Sequence, residues 1–132
     1  MMLARIAPLI ALVLLLSSCT SKQEQHVEEC ISLLTDYALI WRSAPDASAD
    51  EMQRLERAIG ALAPRTRQLN AAIEAWPEPF DPIFAPELVA SINRFLDLEP
   101  GEAQRRLYAP VEEEFWRMRR NCSKLRAHPY GS

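Results

Sequence analysis

The sequence predicts an all-α fold, drawn more finely as a small antiparallel up-down-up-down four-helix bundle. Three observations predict it. Apolar residues recur at three- and four-residue steps through four stretches, which places them on one face of a helix. No strand-like alternation persists, and glycine is scarce, with three in 132 residues. The first and third connections between the periodic stretches are short, as antiparallel neighbours in a bundle require.

The chain opens on a segment of a different kind. Arg5 is followed by an apolar run from Ile6 to Leu16, and the run ends in Leu16-Ser17-Ser18-Cys19. A charged start, a short apolar run and a small-residue processing site read as a secretion signal. The run is shorter than the roughly 20 apolar residues that a transmembrane helix needs. Leu16-Ser17-Ser18-Cys19 resembles the lipobox of bacterial lipoproteins, in which a branched apolar residue and two small ones precede an obligatory Cys. The resemblance implies that residues 1–18 are a cleaved signal peptide. It implies that Cys19 is diacylated on sulfur and then acylated, palmitate-fashion, on its new amino group. Each buried methylene contributes roughly 0.8 kcal/mol, so two or more chains anchor stably. On this reading residues 19–25 are a lipidated tether, and 26–128 form a single helical domain facing the periplasm. Thr20 stands where an inner-membrane retention signal would place Asp, so the outer membrane is favoured over the inner.

The first helix is expected from about Gln23 to Arg42, with Val27, Cys30, Ile31, Leu34, Ala38 and Trp41 on one face. Ser43-Ala44-Pro45-Asp46 ends it. Ser48 followed by Glu51 is a capping-box pattern that opens the second. There Met52, Leu55, Ile59, Leu62, Thr66, Leu69, Ile73 and Trp76 keep coiled-coil-like spacing. Pro64 lies inside that run and is expected to kink or split it, because Pro lacks the N–H and crowds the preceding turn. A Pro-rich connection, Trp76 to Pro86, should be extended. The third helix is short, about Pro86 to Leu98, with Leu88, Val89, Ile92, Phe95 and Leu96 inward. After a turn at Glu99-Pro100-Gly101-Glu102, the last helix runs to about Ala127. Leu107, Val111, Phe115, Met118, Cys122 and Leu125 share its inner face, and Pro110 is a second expected kink.

Charge and cysteines bound the function classes. The formal charge of -3 becomes -4 once Arg5 is removed with the signal, and a mildly acidic domain is a poor nucleic-acid binder. With Cys19 lipidated, Cys30 and Cys122 remain as an even pair in an oxidising compartment, which favours a disulfide. Both positions fall at one end of an up-down-up-down bundle.

Chemistry-bearing residues are few. Hydrolytic signatures such as Gly-x-Ser-x-Gly or His-Glu-x-x-His are absent from the sequence, so no catalytic residue is expected. His26 and His128, with the two Cys, have no metal-site spacing, and a Cys pair oxidised to a disulfide loses its thiolates. Met118 and the two His could serve a haem only from a shared cavity, and neither His has an inward phase. No cofactor is therefore expected.

Two patches remain. Arg117, Arg119, Arg120, Lys124 and Arg126 contain no acid among them, and would face an anionic surface near the tethered terminus. Acidic Glu112-Glu113-Glu114 before them also makes this an ordinary dipole-complementing helix. Trp76, Phe80, Ile83 and Phe84 in the Pro-rich connection would bind a partner if exposed, or plug the bundle where the third helix is short. The expectation is a lipid-anchored, non-catalytic accessory factor that binds another envelope protein. An immunity-type lipoprotein neutralising a periplasmic toxin shares all these features. A metal or haem carrier is the third class.

Overall fold

The computed structural model of the chain describes residues 22–77, 85–94 and 99–125. The elements found there are helices: α1 (Lys22–Ser43), α2 (Ala49–Glu74), α3 (Pro86–Asn93), α4 (Glu102–Tyr108) and α5 (Glu112–Ser123). The fold is all-α, as the periodicity predicts, but the last predicted helix is two.

α1 begins earlier than the expected domain boundary. Lys22–Gln25, assigned by sequence to the tether, form its first turn, and Gln23 is buried one turn before Val27. At the other end the Ala44 N–H bonds the Ile40 carbonyl at 3.1 Å, and Pro45 then stops the helix. α2 starts as its capping pattern predicts. Ser48 is extended (φ -68°, ψ 170°) and its hydroxyl accepts from the Glu51 N–H at 3.2 Å. A cap of this kind contributes about 1 kcal/mol.

Pro64 and Pro110 have different outcomes. α2 runs through Pro64 as one helix. A Pro inside a helix costs about 3 kcal/mol. Against that stand Ile59, Leu62, Leu69 and Ile73, all buried on the inner face, at roughly 1.5–3 kcal/mol each. Pro64 itself is exposed, so its ring meets solvent rather than a neighbour. At Pro110 the helix breaks. Val111 leaves helical geometry (φ -125°, ψ 5°), and its N–H makes a tight three-residue bond to the Tyr108 carbonyl at 2.9 Å. Phe115 then restarts the ladder from the Val111 carbonyl at 2.8 Å. Here the chain needs a bend, because the segment before the break caps one end of the core while α5 lines its length.

α1, α2 and α5 pack on one another. α3 lies against α1 and α5, and α4 against α2. Contacts between helices tie these elements together. His26 meets Trp76, just past α2, and Tyr37 meets Thr66. Cys30 meets Cys122 and Trp41 meets Gln104 across α1 and the α4–α5 limb. Glu56, Asn70 and Glu74 meet Arg106, Glu114 and Arg117 across α2 and that limb.

The core is shared among all five helices. Leu33, Leu34, Tyr37, Ile73, Leu88, Ile92, Leu107, Phe115 and Met118 are among its most deeply buried side chains. Its polar members are bonded, as burial requires. The Thr66 hydroxyl donates to the Leu62 carbonyl at 2.9 Å, so the Tyr37 hydroxyl, 2.8 Å away, donates to Thr66. Along the α2–α5 seam Asn70 Nδ2 donates to the Glu114 carbonyl and carboxylate at 3.1 and 3.0 Å. Asn121 Nδ2 donates to Asn70 Oδ1 at 3.0 Å and to Glu74 at 2.7 Å. A sliding α5 would strand these groups, so the pair sets the register of the seam.

Candidate functional site

Two ends of the fold hold the chemistry. The first is where α1 starts and where α2 and α5 end. Cys30 and Cys122 are disulfide-bonded here, with Cα atoms 5.9 Å apart and no exposure of either residue. The spacing lies within the range a disulfide requires. Bonded sulfurs cannot serve as thiolates, and no cluster of three metal-ligating side chains occurs among the described residues.

His26 packs edge-on to Trp76, ring centres 5.4 Å apart. Burial, and then the Lys22 charge, lower the affinity of His26 for a proton below the ordinary histidine range. Trp76 is thus half-buried against α1 rather than standing free. Phe80, Ile83 and Phe84, the rest of the expected partner-binding segment, lie outside the described residues, as do Cys19 and His128.

The basic cluster of α5 is reorganised by its neighbours. Arg117 forms a two-point pair with the Glu74 carboxylate, its Nε at 2.7 Å. Arg119 donates through Nε to the Ile92 carbonyl at 3.2 Å and lies over the Trp116 ring, 5.8 Å from its centre. Lys124 Nζ donates to Asn121 Oδ1 at 3.2 Å. Arg120 is exposed, and Arg126 lies outside the described residues. An undivided acid-free patch is therefore not what the fold presents. The absence of acids in the sequence run was real, but α2 supplies Glu74 across the seam.

The same contact predicts an acid sensitivity. Hydrogen bonds from Arg117 first, and from Asn121 next, hold the Glu74 carboxyl below its ordinary value of about 4.5. A lowered folded-state value stabilises the fold above the ordinary value, and that contribution is lost as pH falls through the lowered one. Both side chains are partly exposed, so the effect is modest and weakens with salt. Melting temperatures taken between about pH 5 and about pH 3 should fall further for the native chain than for Glu74→Gln. An equal fall in both would remove Glu74 from the acid response.

The second end lies where α1 finishes, α4 lies across, and α5 begins. Trp41, Tyr108, Phe115 and Trp116 line a cavity of about 70 Å³ there, together with Gln104, Arg105, Glu112 and Pro100. Tyr108 donates to the Tyr37 carbonyl, and Gln104 Nε2 donates to the Trp41 carbonyl at 3.2 Å. Burial, followed by the neighbouring Tyr37 phenol, pushes the Tyr108 hydroxyl above the usual phenol range, so it stays a donor at any ordinary pH. These bonds hold the α4 side chains against the last two turns of α1.

Sequence periodicity placed Trp41 and Phe115 on inner faces but did not single out Tyr108, Trp116 or the cavity. Tyr108 lies on the far side of the Pro110 break, and the helix phase changes across it. The adjacent Phe115-Trp116 pair was the available signal: two large aromatics in succession cannot both point along one helix stripe.

No helix among the described residues is long and apolar enough to cross a membrane. Comparison with protein-family models, with curated proteins and with solved structures finds no match for this chain.

Proposed function

We propose that the chain is a lipid-anchored, non-catalytic accessory factor of the bacterial envelope. In this reading Cys19 carries the lipid, the domain faces the periplasm from the outer membrane, and a second envelope protein is its partner. The observation that supports it most is the Cys30–Cys122 bridge. Two cysteines 92 residues apart in sequence come together in the core, and such a bond persists in oxidising compartments. The Leu16-Ser17-Ser18-Cys19 register points to the same compartment independently. The proposal takes the path of the bundle as up-down-up-down, with α4 and α5 together as the last limb. Its support is that His26 meets Trp76, just past α2, and that Cys30 meets Cys122 while Trp41 meets Gln104.

The geometry has a consequence for orientation. α1 starts at Lys22, three residues beyond Cys19, and three extended residues span about 10 Å at most. A lipid on Cys19 therefore holds the disulfide end of the bundle close to the bilayer and turns the other end outward. Cells producing the native chain and Cys19→Ala, fed an alkyne analogue of palmitate and fractionated, test the anchor. Label and membrane residence should both be lost in the variant. Unchanged membrane residence of an unlabelled native chain would end the proposal.

A further inference from the structure

We propose that the aromatic cavity between α1, α4 and α5 binds a small zwitterion with a quaternary ammonium group beside an anionic one, of the phosphocholine or betaine class.

Four aromatic side chains line this one cavity. Trp41 meets Tyr108 at 70°, Tyr108 meets Phe115 at 77°, and Phe115 meets Trp116 at 70°. Successive rings meet edge to face, the arrangement aromatic pairs prefer, and all four contribute to the cavity lining. Aromatic rings attract organic cations, and aromatic boxes suit methylated ammonium groups in particular. The cavity, at about 70 Å³, is well below the roughly 300 Å³ where drug-sized sites begin, so it admits one compact group. Arg119 lies over Trp116 but does not line the cavity, which leaves Arg105 as the cation on its lining.

The rim distinguishes a charged occupant from a merely apolar one. Glu112 and Arg105 both line the cavity, and neither enters an ion pair among the described residues. Glu112 supplies a carboxylate to the ammonium end. Arg105 supplies a guanidinium to an adjoining phosphate or carboxylate, and its planar fork suits such groups. The break at Pro110 puts the two on one rim, since it separates the helix that carries Arg105 from the helix that Glu112 opens. The walls are set before any ligand arrives, through the Tyr108 and Gln104 bonds to α1, so little ordering opposes binding.

The position in the fold favours a free solute over a headgroup of the supporting bilayer. Trp41 lies nineteen residues beyond Lys22 in α1, about 28 Å along the helix axis. This step alone rests on the lipid anchor proposed above. The cavity and its chemistry do not.

The chain's three Trp provide the test. Trp41 and Trp116 line the cavity, while Trp76 sits at the opposite end against His26. The chain of 132 residues, purified in a non-ionic detergent, is titrated with three probes while the indole N–H signals are followed by NMR. The probes are phosphocholine, tetramethylammonium, and 3,3-dimethylbutanol, which has a similar shape without charge.

Saturable shifts of Trp41 and Trp116 without Trp76 are expected. Phosphocholine should bind about tenfold more tightly than the neutral alcohol. Exposed Glu112→Gln should weaken both cations about threefold, and Arg105→Gln should weaken phosphocholine alone. Melting curves of the two variants confirm that they fold. No saturable shift, equal binding of the alcohol, or an equal response at Trp76 would overturn the site. Phosphatidylcholine vesicles that shift the same signals better than phosphocholine would overturn the free-solute assignment. None of the soluble-probe readings depends on lipidation of Cys19, so failure here leaves the anchor proposal standing, and the reverse also holds.

Discussion

Replacing Cys30 and Cys122 together by Ala is expected to lower the stability of the fold by about 4 to 5 kcal/mol. The bond joins positions 92 residues apart, and the entropy removed from the unfolded chain grows with the size of the closed loop. The loss is large against the roughly 5–15 kcal/mol that stabilises a typical domain. It corresponds to a fall of about 15–30 °C in melting temperature for a domain of this size. Reductant alone should act slowly. Both sulfurs are fully buried, so a thiol reaches them only when the ends of α1 and α5 part. Melting with and without reductant, with alkylation and intact mass to count thiols, measures both effects. A double variant that melts with the native chain would show that packing alone closes this end.

Phe115→Ala is expected to be the most damaging single substitution, at about 3 to 5 kcal/mol. Phe115 is 1% exposed and its ring meets Tyr37 at 4.9 Å, Trp116 at 5.0 Å and Tyr108 at 5.5 Å. Each aromatic pair contributes roughly 0.5–1.5 kcal/mol beyond burial. The surroundings cannot collapse into the gap, because Tyr37 is fixed by Thr66 and Tyr108 by the Tyr37 carbonyl. Phe115→Leu keeps most of the volume and should lose much less. Urea midpoints with unchanged slopes distinguish the two outcomes. Similar small losses for both variants would mean that the aromatic cluster is ornamental to stability.

The helices were legible because burial repeats with the helix period. Val27, Cys30, Leu34, Ala38 and Trp41 are buried as their spacing predicts, and so are Ile59, Leu62, Thr66, Leu69 and Ile73. The inner face of α1 is wider than those steps implied, since Leu33, Tyr37 and Ile40 are also buried. α1 lies among the other helices, and a helix with several neighbours hides more than one stripe. Met52 and Leu55 are only partly buried, because the start of α2 has α4 across it and no longer helix.

The candidate sites were read less well. The cysteine pair was accessible from sequence, because counting in an oxidising compartment needs no coordinates. The pairing inside the basic cluster was not legible, because Glu74 is remote from Arg117 in sequence and adjacent in the fold. The aromatic cavity draws Trp41 from one helix and Arg105, Tyr108, Glu112, Phe115 and Trp116 from both sides of a break. No local period encodes that assembly.

By itself the sequence determined that the described chain is helical, where α1 and α2 start and stop to within a few residues, and which two cysteines could pair. Each of these follows from local periodicity, capping chemistry or counting. Tertiary structure alone decided that α2 passes Pro64 while the last limb breaks at Pro110. The two prolines present the same local defect. What differs is the packing on either side, which rewards a continuous helix along α2 and a break between α4 and α5. Tertiary structure also decided which charges are paired and where a cavity with aromatic lining opens, because both depend on neighbours brought together across the fold.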